Sequence, residues 1–133
     1  MHSTVQNTIY NFFASAAYTS EVGLKAYPTN YQGDINLPEF VRFHIIGTNV
    51  VRGNYSTGKK YTGKLIVSFL VPAGQGDKRG YALCTSISHL LDNKTFPNKL
   101  SFSTGSVTNY GLDAVNKSLW RVDYTNNFLI FGD

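Results

Sequence analysis

Two glycine-rich segments are the places where this sequence comes closest to a motif for chemistry. Residues 53–60 read GNYSTGKK and nearly match a phosphate-binding loop, but Lys60 stands where a Ser or Thr hydroxyl would hold magnesium. The segment also runs into a predicted strand, whereas a phosphate-binding loop opens a helix. Residues 74–80 read GQGDKRG and do open a predicted helix, but no parallel βαβαβ array with an acidic residue after the next strand follows. We interpret both segments as turns and keep a small nucleotide-binding domain as the less favoured alternative.

The residues that usually act as nucleophiles or metal ligands are dispersed. The three histidines, at positions 2, 44 and 89, match no zinc-ligand spacing. The eight carboxylates show no paired arrangement along the chain. The single cysteine, Cys84, allows no intramolecular disulfide and falls among apolar positions of a predicted helix. We therefore predict no catalytic, cofactor-binding or metal-binding residues, and a binding or structural protein instead of an enzyme.

The composition favours one folded unit whose surface is partly covered by partners. A chain of 133 residues fits a single domain over 1–133. Tyr and Phe number nine each, while charged residues make up only 15%, and this balance is typical of protein interfaces. The net charge of +4 is scattered, so the sequence lacks the concentrated basic face of a specific nucleic-acid binder. No apolar run reaches the roughly 18 residues that span a membrane, so we expect no membrane partner.

Hydrophobic periodicity predicts two helices and a set of strands. Helical spacing of apolar residues predicts a first helix over 3–17. A second helix is predicted from an N-cap at Asp77 to about Asp92. Alternation of apolar and polar residues predicts strands over 40–46, 62–71, 100–102, 106–110 and 120–130.

The segments between these elements are predicted as loops, and the order of the elements gives the fold class. Residues 18–39 contain Gly, Pro and Asn and are predicted as an extended loop. Residues 47–61 are polar, with three glycines and three basic residues, and are predicted as a hairpin loop. Asn126 and Asn127 leave two interpretations open, one long last strand or a turn within it. The result is an α+β fold: an antiparallel or mixed sheet of about four to five strands with two helices packed on one face.

A series of short motifs between Ala26 and Phe96 resembles the small tail terminators of long-tailed phages, of the lambda and SPP1 types. The motifs are YPTNY at 27–31, EFVRF at 39–43, YTGKLIVSF at 61–69, VPAGQG at 71–76 and SHLLD at 88–92. Weaker similarities follow at 111–113 and 120–122. With the stretches between them, these motifs extend the resemblance over about half to two-thirds of the chain.

This resemblance implies a structural virion protein without catalytic residues. Six copies would form a homo-oligomeric ring that binds the last ring of tail tube protein, stops tube polymerisation and meets the head connector. Genomic DNA would pass through the lumen without specific binding. The protein would be assembled in the host cytoplasm and lie at the head-proximal end of the phage tail. A head–tail joining or tail completion protein is the alternative, since such proteins share this size and ring symmetry.

Contact residues for such a ring are predicted from loop length and charge placement. Tyr-rich loops supply contact area at low entropy cost. Cations in the first turn of a helix oppose its dipole, and such a local misfit is typical of a functional surface. A channel for DNA should not hold phosphate strongly, so we expect few basic residues along its wall. The predicted interface residues are Tyr27, Tyr31, Arg52, Tyr55, Lys59, Lys60, Lys78 and Arg79.

Overall fold

The computed structural model describes residues 2–28, 38–52, 59–74, 76–96, 100–113 and 118–132. This part of the chain contains three helices, α1 (His2–Phe13), α2 (Ala16–Glu21) and α3 (Gly76–Leu91). It also contains seven strands, β1 (Ala26–Pro28), β2 (Phe40–Arg52), β3 (Lys59–Pro72), β4 (Thr95–Phe96), β5 (Leu100–Phe102), β6 (Ser106–Leu112) and β7 (Leu119–Gly132).

The seven strands form one mixed sheet around the long β3–β7 ladder. β3 and β7 are each 14 residues long and pair antiparallel along their whole lengths. On one side, β2 pairs antiparallel with β3, and β1 pairs parallel with β2. On the other side, β5 pairs with residues 128–129 of β7 and β6 with residues 120–125, while β4 pairs with β5. This order places β1 at one margin of the sheet, while β4 and β6 form the other, beside different parts of β7.

All three helices pack on the same face of the sheet, which we call the covered face. Alternation brings to this face residues 41, 43 and 45 of β2, the odd-numbered residues 65–71 of β3 and the even-numbered residues 120–130 of β7. These side chains form one hydrophobic cluster with helix residues such as Ile9 and Ile87. No described helix covers the opposite face, the open face, which carries a smaller cluster of Phe40, Leu70 and Leu119.

Aromatic rings extend the core across the covered face. Phe13 of α1 stacks on Phe43 of β2, with ring centroids 4.3 Å apart. Phe12 of the same helix meets Phe96 of β4 edge to face at 5.5 Å. Aromatic pairs of this kind stabilise by about 0.5–1.5 kcal/mol beyond the area that they bury. α1 therefore holds together strands that lie far apart in the sheet.

The predicted α+β class is confirmed, but the helix bounds differ. The helix predicted over 3–17 is divided into α1 and α2. Ser15 is extended and its side chain accepts a hydrogen bond from the Tyr18 backbone N–H at 3.3 Å, so it is the N-cap of a new helix. The loop predicted over 18–39 contains most of α2 and all of β1, and residues 29–37 lie outside the described residues.

The loop predicted over 47–61 is wrong in its described part. β2 continues to Arg52 and β3 begins at Lys59. β7 offers β3 a partner along this whole length, and such pairing outweighs the weak strand preference of a polar, glycine-containing sequence. β7 is one long strand, so no turn forms at Asn126 and Asn127.

Among the described residues the sheet has seven strands instead of the predicted four to five, and three helices are present instead of two. The unpredicted strands are β1 and β4, which have three and two residues. Alternation needs at least four residues to become visible in a sequence. These strands form because longer neighbours offer them backbone partners.

Candidate interaction surface

β6 forms a margin of the sheet that the described residues leave unpaired. The strand pairs with β7 on one side, and no strand in the described ranges pairs with its other side. It contains neither a charged residue nor a proline, the two protections common on natural edge strands. Val107, Tyr110 and Leu112 expose 42%, 59% and 52% of their surface. β6 thus combines unpaired backbone groups with exposed apolar side chains, as edges that receive another strand do.

A bulge in β6 gives its two faces different side chains. The register against β7 shifts between Asn109 and Gly111, which makes Tyr110 the extra residue. The Arg121 guanidinium carbon lies 4.6 Å from the centre of the Tyr110 ring on the open face. On the covered face, Trp120 Nε1 donates a hydrogen bond to Asn109 Oδ1 at 2.8 Å. Gly111 has φ +87°, a conformation that glycine adopts without strain.

Ion pairs occupy the open face beside this margin. Arg121 donates two hydrogen bonds to Asp123, at 2.9 and 2.8 Å, and these bonds are the main cause of a raised pKa of Arg121. The Asp123 side chain is only 3% exposed, and a buried carboxylate requires such a partner. Arg42 lies 3.5 Å from Asp113. Each of these two arginines therefore has a carboxylate that offsets its charge.

Three of the predicted interface residues have described side chains. Tyr27 of β1 meets Phe40 edge to face, with ring centroids 6.4 Å apart. Lys78 is exposed in the first turn of α3. Arg79 donates two hydrogen bonds to Glu39, at 2.9 and 3.2 Å, and these bonds are the main cause of its raised pKa. Tyr27 and Arg79 thus both contact the beginning of β2.

For the other five predicted interface residues, no side-chain contacts are described. Arg52, Lys59 and Lys60 are ladder positions of β2 and β3. Tyr31 and Tyr55 lie outside the described residues. Their role in an interface stays a prediction.

A buried polar cluster joins the end of α3 to β7 and to the turn before β6. Asp92 Oδ1 accepts hydrogen bonds from Gly105 N at 2.9 Å and from the Tyr124 hydroxyl. Burial, and then the hydrogen bond to Asp92, raise the pKa of Tyr124. Asn126 Nδ2 donates to Ser103 O and to the Tyr124 hydroxyl oxygen, both at 2.7 Å. The cluster therefore fixes the turn from which β6 starts.

Neither the β6 margin nor this polar cluster was predicted from the sequence. Alternation predicted a strand over 106–110, but alternation does not distinguish an edge strand from an inner one. The available signal was the lack of any charged residue over 100–112, since an exposed strand normally carries charges. The contact between Asp92 and Tyr124 joins residues that are far apart in the chain, so no local sequence pattern predicts it.

A groove of about 370 Å³ lies among the helices and β4. Its walls are mostly apolar, and its polar lining groups are hydroxyls and an amide, which are neither acids nor bases near neutral pH. The groove could therefore bind a group of matching shape, but its lining side chains could not act as an acid or a base. It is lined by Thr8, Asn11, Phe12, Ser15, Ala17, Leu90 and Phe96.

Two residues first considered for chemistry, Gly80 and Cys84, are explained by packing and burial. A Cβ on Gly80 would lie 2.3 Å from Val122 Cγ2, so close contact between α3 and β7 explains that glycine. Burial, and then the charge of Asp123, raise the pKa of the Cys84 thiol to about 12. Within the described ranges, no three His, Cys, Asp or Glu side chains group closely enough to hold a metal ion. None of the described helices combines the length and apolar character needed to cross a membrane.

The fold is shared with solved structures at low sequence identity. A chain from the virion of a native gene transfer agent (GTA) particle matches with a TM-score of 0.63 and 17% identity, over 96% of this chain and 94% of that chain. Another solved chain, which carries no functional name, matches with a TM-score of 0.70 and 12% identity, over 98% of this chain and 95% of that chain. No protein-family model and no curated protein matches the sequence. These similarities establish the fold over nearly the whole chain.

Proposed function

We propose that this chain is a non-enzymatic structural subunit of a phage-type virion, a tail terminator. Copies of it form a ring, a hexamer, that caps the tail tube, stops its polymerisation and joins it to the head connector. The observation that carries this proposal is the nearly full-length fold similarity to a chain of the GTA virion. The motif order between Ala26 and Phe96, which resembles the tail terminators, supports the same role.

The surface of the subunit suits assembly with copies of itself. A ring repeats one interface between two different patches of the same molecule. The β6 margin, with three exposed apolar side chains, is a patch of the kind that a neighbour covers. The β6 margin therefore suits a contact between copies, and the side chains that line the groove among the helices carry no acid or base.

The charge arrangement suits a channel through which DNA moves. Arg42 and Arg121 on the open face each have a carboxylate partner. A cation that is already paired attracts phosphate less strongly, because the nearby negative charge offsets its field. Genomic DNA would then pass the subunits without specific binding, at the head-proximal end of the tail.

The proposal is tested with tail tubes assembled from the tube protein of the same phage. Native mass spectrometry of the purified chain should give one ring stoichiometry, and electron microscopy should show the ring only at tube ends. Tubes should stop lengthening when the chain is added. The exposed open-face variant Lys64→Glu is the control for Lys59→Glu/Lys60→Glu, which should weaken capping if the β2–β3 hairpin meets the tube.

Three results would replace this proposal with another. A chain that stays monomeric at every concentration, with and without tubes, would exclude the ring. Rings that bind isolated head connectors but never tube ends would identify a head–tail joining protein. A rise in unfolding temperature with nucleotide, which a specific ligand causes by binding the folded state, would favour the nucleotide-binding alternative.

A further inference from the structure

β6 differs from the central strands of the sheet because none of its residues is buried. Six of its seven residues are exposed and Gly111 is half-buried, whereas Leu65, Val67, Phe69 and Val71 of β3 are fully buried. Regions with few buried apolar contacts open at a lower free energy than the core. Apolar burial therefore contributes less to holding β6 than to holding β3, and the attachment of β6 depends more on hydrogen bonds.

The backbone attachment of β6 is on one side only among the described residues. There β6 pairs with β7 alone, whereas β3 pairs with both β2 and β7. Pairing of two strands by itself is only marginally stable in water. The side-chain contacts along β6 are the exposed hydrogen bond from Trp120 to Asn109 and the contact of Arg121 with the exposed Tyr110 ring. Contacts of this exposed kind add little stability.

The turn over residues 103–105, which precedes β6, is tied to more deeply buried parts of the fold. Gly105 N donates a hydrogen bond to Asp92 Oδ1 at 2.9 Å, and Ser103 O accepts one from Asn126 Nδ2 at 2.7 Å. Tyr124 is hydrogen-bonded to both side chains and fixes them relative to each other. A hydrogen bond to a carboxylate is stronger than one between neutral groups. We call Asp92 and Asn126 the turn clamp.

The turn clamp is fixed by elements other than β6. Asp92 directly follows α3, whose last residue, Leu91, is 1% exposed. Asn126 of β7 is also 1% exposed and lies opposite Leu65 in the β3–β7 ladder. α3 and this ladder therefore hold the clamp residues in place whether or not β6 is paired, so the turn and β6 are the parts that can separate from them.

We infer that β6 opens on its own while the rest of the subunit stays folded, and that the turn clamp sets how often it opens. In the open form, residues 103–112 leave β7, while the helices and the other long strands keep their contacts. Opening uncovers the edge of β7 over residues 120–125, which β6 covers in the closed form. This property belongs to a single subunit and does not depend on the ring proposed above.

Native-state hydrogen exchange, followed by NMR, tests the inference. After correction for intrinsic rates, the β6 amides bonded to β7 should exchange about tenfold or more faster than the amides of residues 65–71 in β3, because they exchange by local opening. Asp92→Ala breaks the bond to Gly105 N, which exists only while β6 is closed. It should therefore accelerate exchange of the β6 amides by about tenfold or more, the effect of 1.4 kcal/mol.

A second variant covers the case in which Asp92→Ala does not fold. Thr104 of the same turn is exposed, and its Oγ1 accepts a hydrogen bond from Asn93 Nδ2 at 3.1 Å. This bond also joins the turn to the residues that follow α3. Its loss in Thr104→Ala should accelerate exchange of the β6 amides by about two- to fivefold, as expected for an exposed neutral hydrogen bond.

Tyr18→Phe is the matched control, since it removes a tyrosine hydroxyl in a contact that does not involve β6. The Tyr18 hydroxyl donates to Leu24 O at 2.8 Å, and the residue belongs to the main hydrophobic cluster. This contact persists when only β6 opens and is lost when the whole subunit unfolds. The variant should therefore accelerate exchange of the β3 amides and leave that of the β6 amides unchanged.

Two results would overturn the inference. Equal acceleration of the β3 and β6 amides by Tyr18→Phe would show that β6 exchanges only when the whole subunit unfolds. Unchanged exchange of the β6 amides in every folded variant at Asp92 and Thr104 would show that these contacts do not hold the strand. Neither result bears on the ring, and a chain that stays monomeric would overturn the proposed function while leaving the opening of β6 intact.

Discussion

The two faces of the sheet are built in different ways although the same strands supply both. On the covered face, residues such as Leu65, Val67 and Phe69 are fully buried beneath the helices. On the open face, the same strand carries Lys64, Ile66 and Ser68, and the neighbouring strands carry paired arginines and aspartates. Packing therefore dominates the covered face, whereas the open face combines ion pairs with the smaller apolar cluster of Phe40, Leu70 and Leu119.

This difference separates the stability of the subunit from its capacity to assemble. Burial of apolar surface provides most of the free energy of folding, and most of that burial lies on the covered face. The open face and the β6 margin have no comparable cover from the described helices. They are therefore the surfaces on which changes should affect partners more than folding.

The largest expected effect comes from comparing adjacent residues of β3 on the two faces. Leu65→Ala removes a fully buried side chain and should lower the free energy of unfolding by about 2–5 kcal/mol. Ile66→Ala removes a similar volume from a half-buried side chain on the open face and should lower it by less than about 2 kcal/mol. Urea unfolding followed by the fluorescence of Trp120, the single tryptophan, measures both. Equal losses would contradict the distinction between the faces.

A smaller effect is expected from two glycines that differ only in their surroundings. A Cβ on Gly105 would lie 2.3 Å from the Tyr124 ring, whereas nothing lies within 4 Å of a Cβ on Gly74. Gly105→Ala should therefore displace Tyr124, which also holds Asp92, and should cost about 1–3 kcal/mol. Gly74→Ala should change stability by less than about 0.5 kcal/mol. Thermal unfolding decides between these expectations, and unfolding of the two variants at the same temperature would show that Gly105 has no packing role.

The covered face is the part of the fold that the sequence predicts well. Apolar spacing in α3 and alternation in β3 and β7 repeat over enough residues to identify both element type and buried side. The short strands β1 and β4 escape prediction because they are stabilised by their neighbours. The division at Ser15 escapes it too, since a capping serine within a helical pattern is a weak signal.

The candidate surface was less accessible to sequence reasoning. Lys78 and Arg79 share the first turn of α3, but in the part of the chain that the structure describes only Arg79 has an ion-pair partner, Glu39, forty positions away in the sequence. The β6 margin is defined by an unpaired side, and pairing is a property of the assembled sheet. The one feature of the composition that indicates this surface is the absence of charged residues from β6.

The smallest effect concerns Arg79, for which the sequence predicts a role between subunits and the structure shows a contact within one. Its side chain is 39% exposed and that of Glu39 is 19% exposed. Such a pair stabilises by about 0.2–1 kcal/mol. A double-mutant cycle with Arg79→Ala and Glu39→Ala should give a coupling energy in that range. It should decline in 1 M salt, where the Debye length is about 3 Å.

Ring assembly measured on the same variants distinguishes the two roles of Arg79. If Arg79 only ties α3 to β2, both single variants should assemble as the unsubstituted chain does, because their effect stays within the subunit. If Arg79→Ala prevents assembly while the cycle shows no coupling, the guanidinium contacts the neighbouring copy instead. Lys78→Ala, at an exposed position one residue earlier, is the matched control, since it removes the same charge from the same turn without breaking the contact to Glu39.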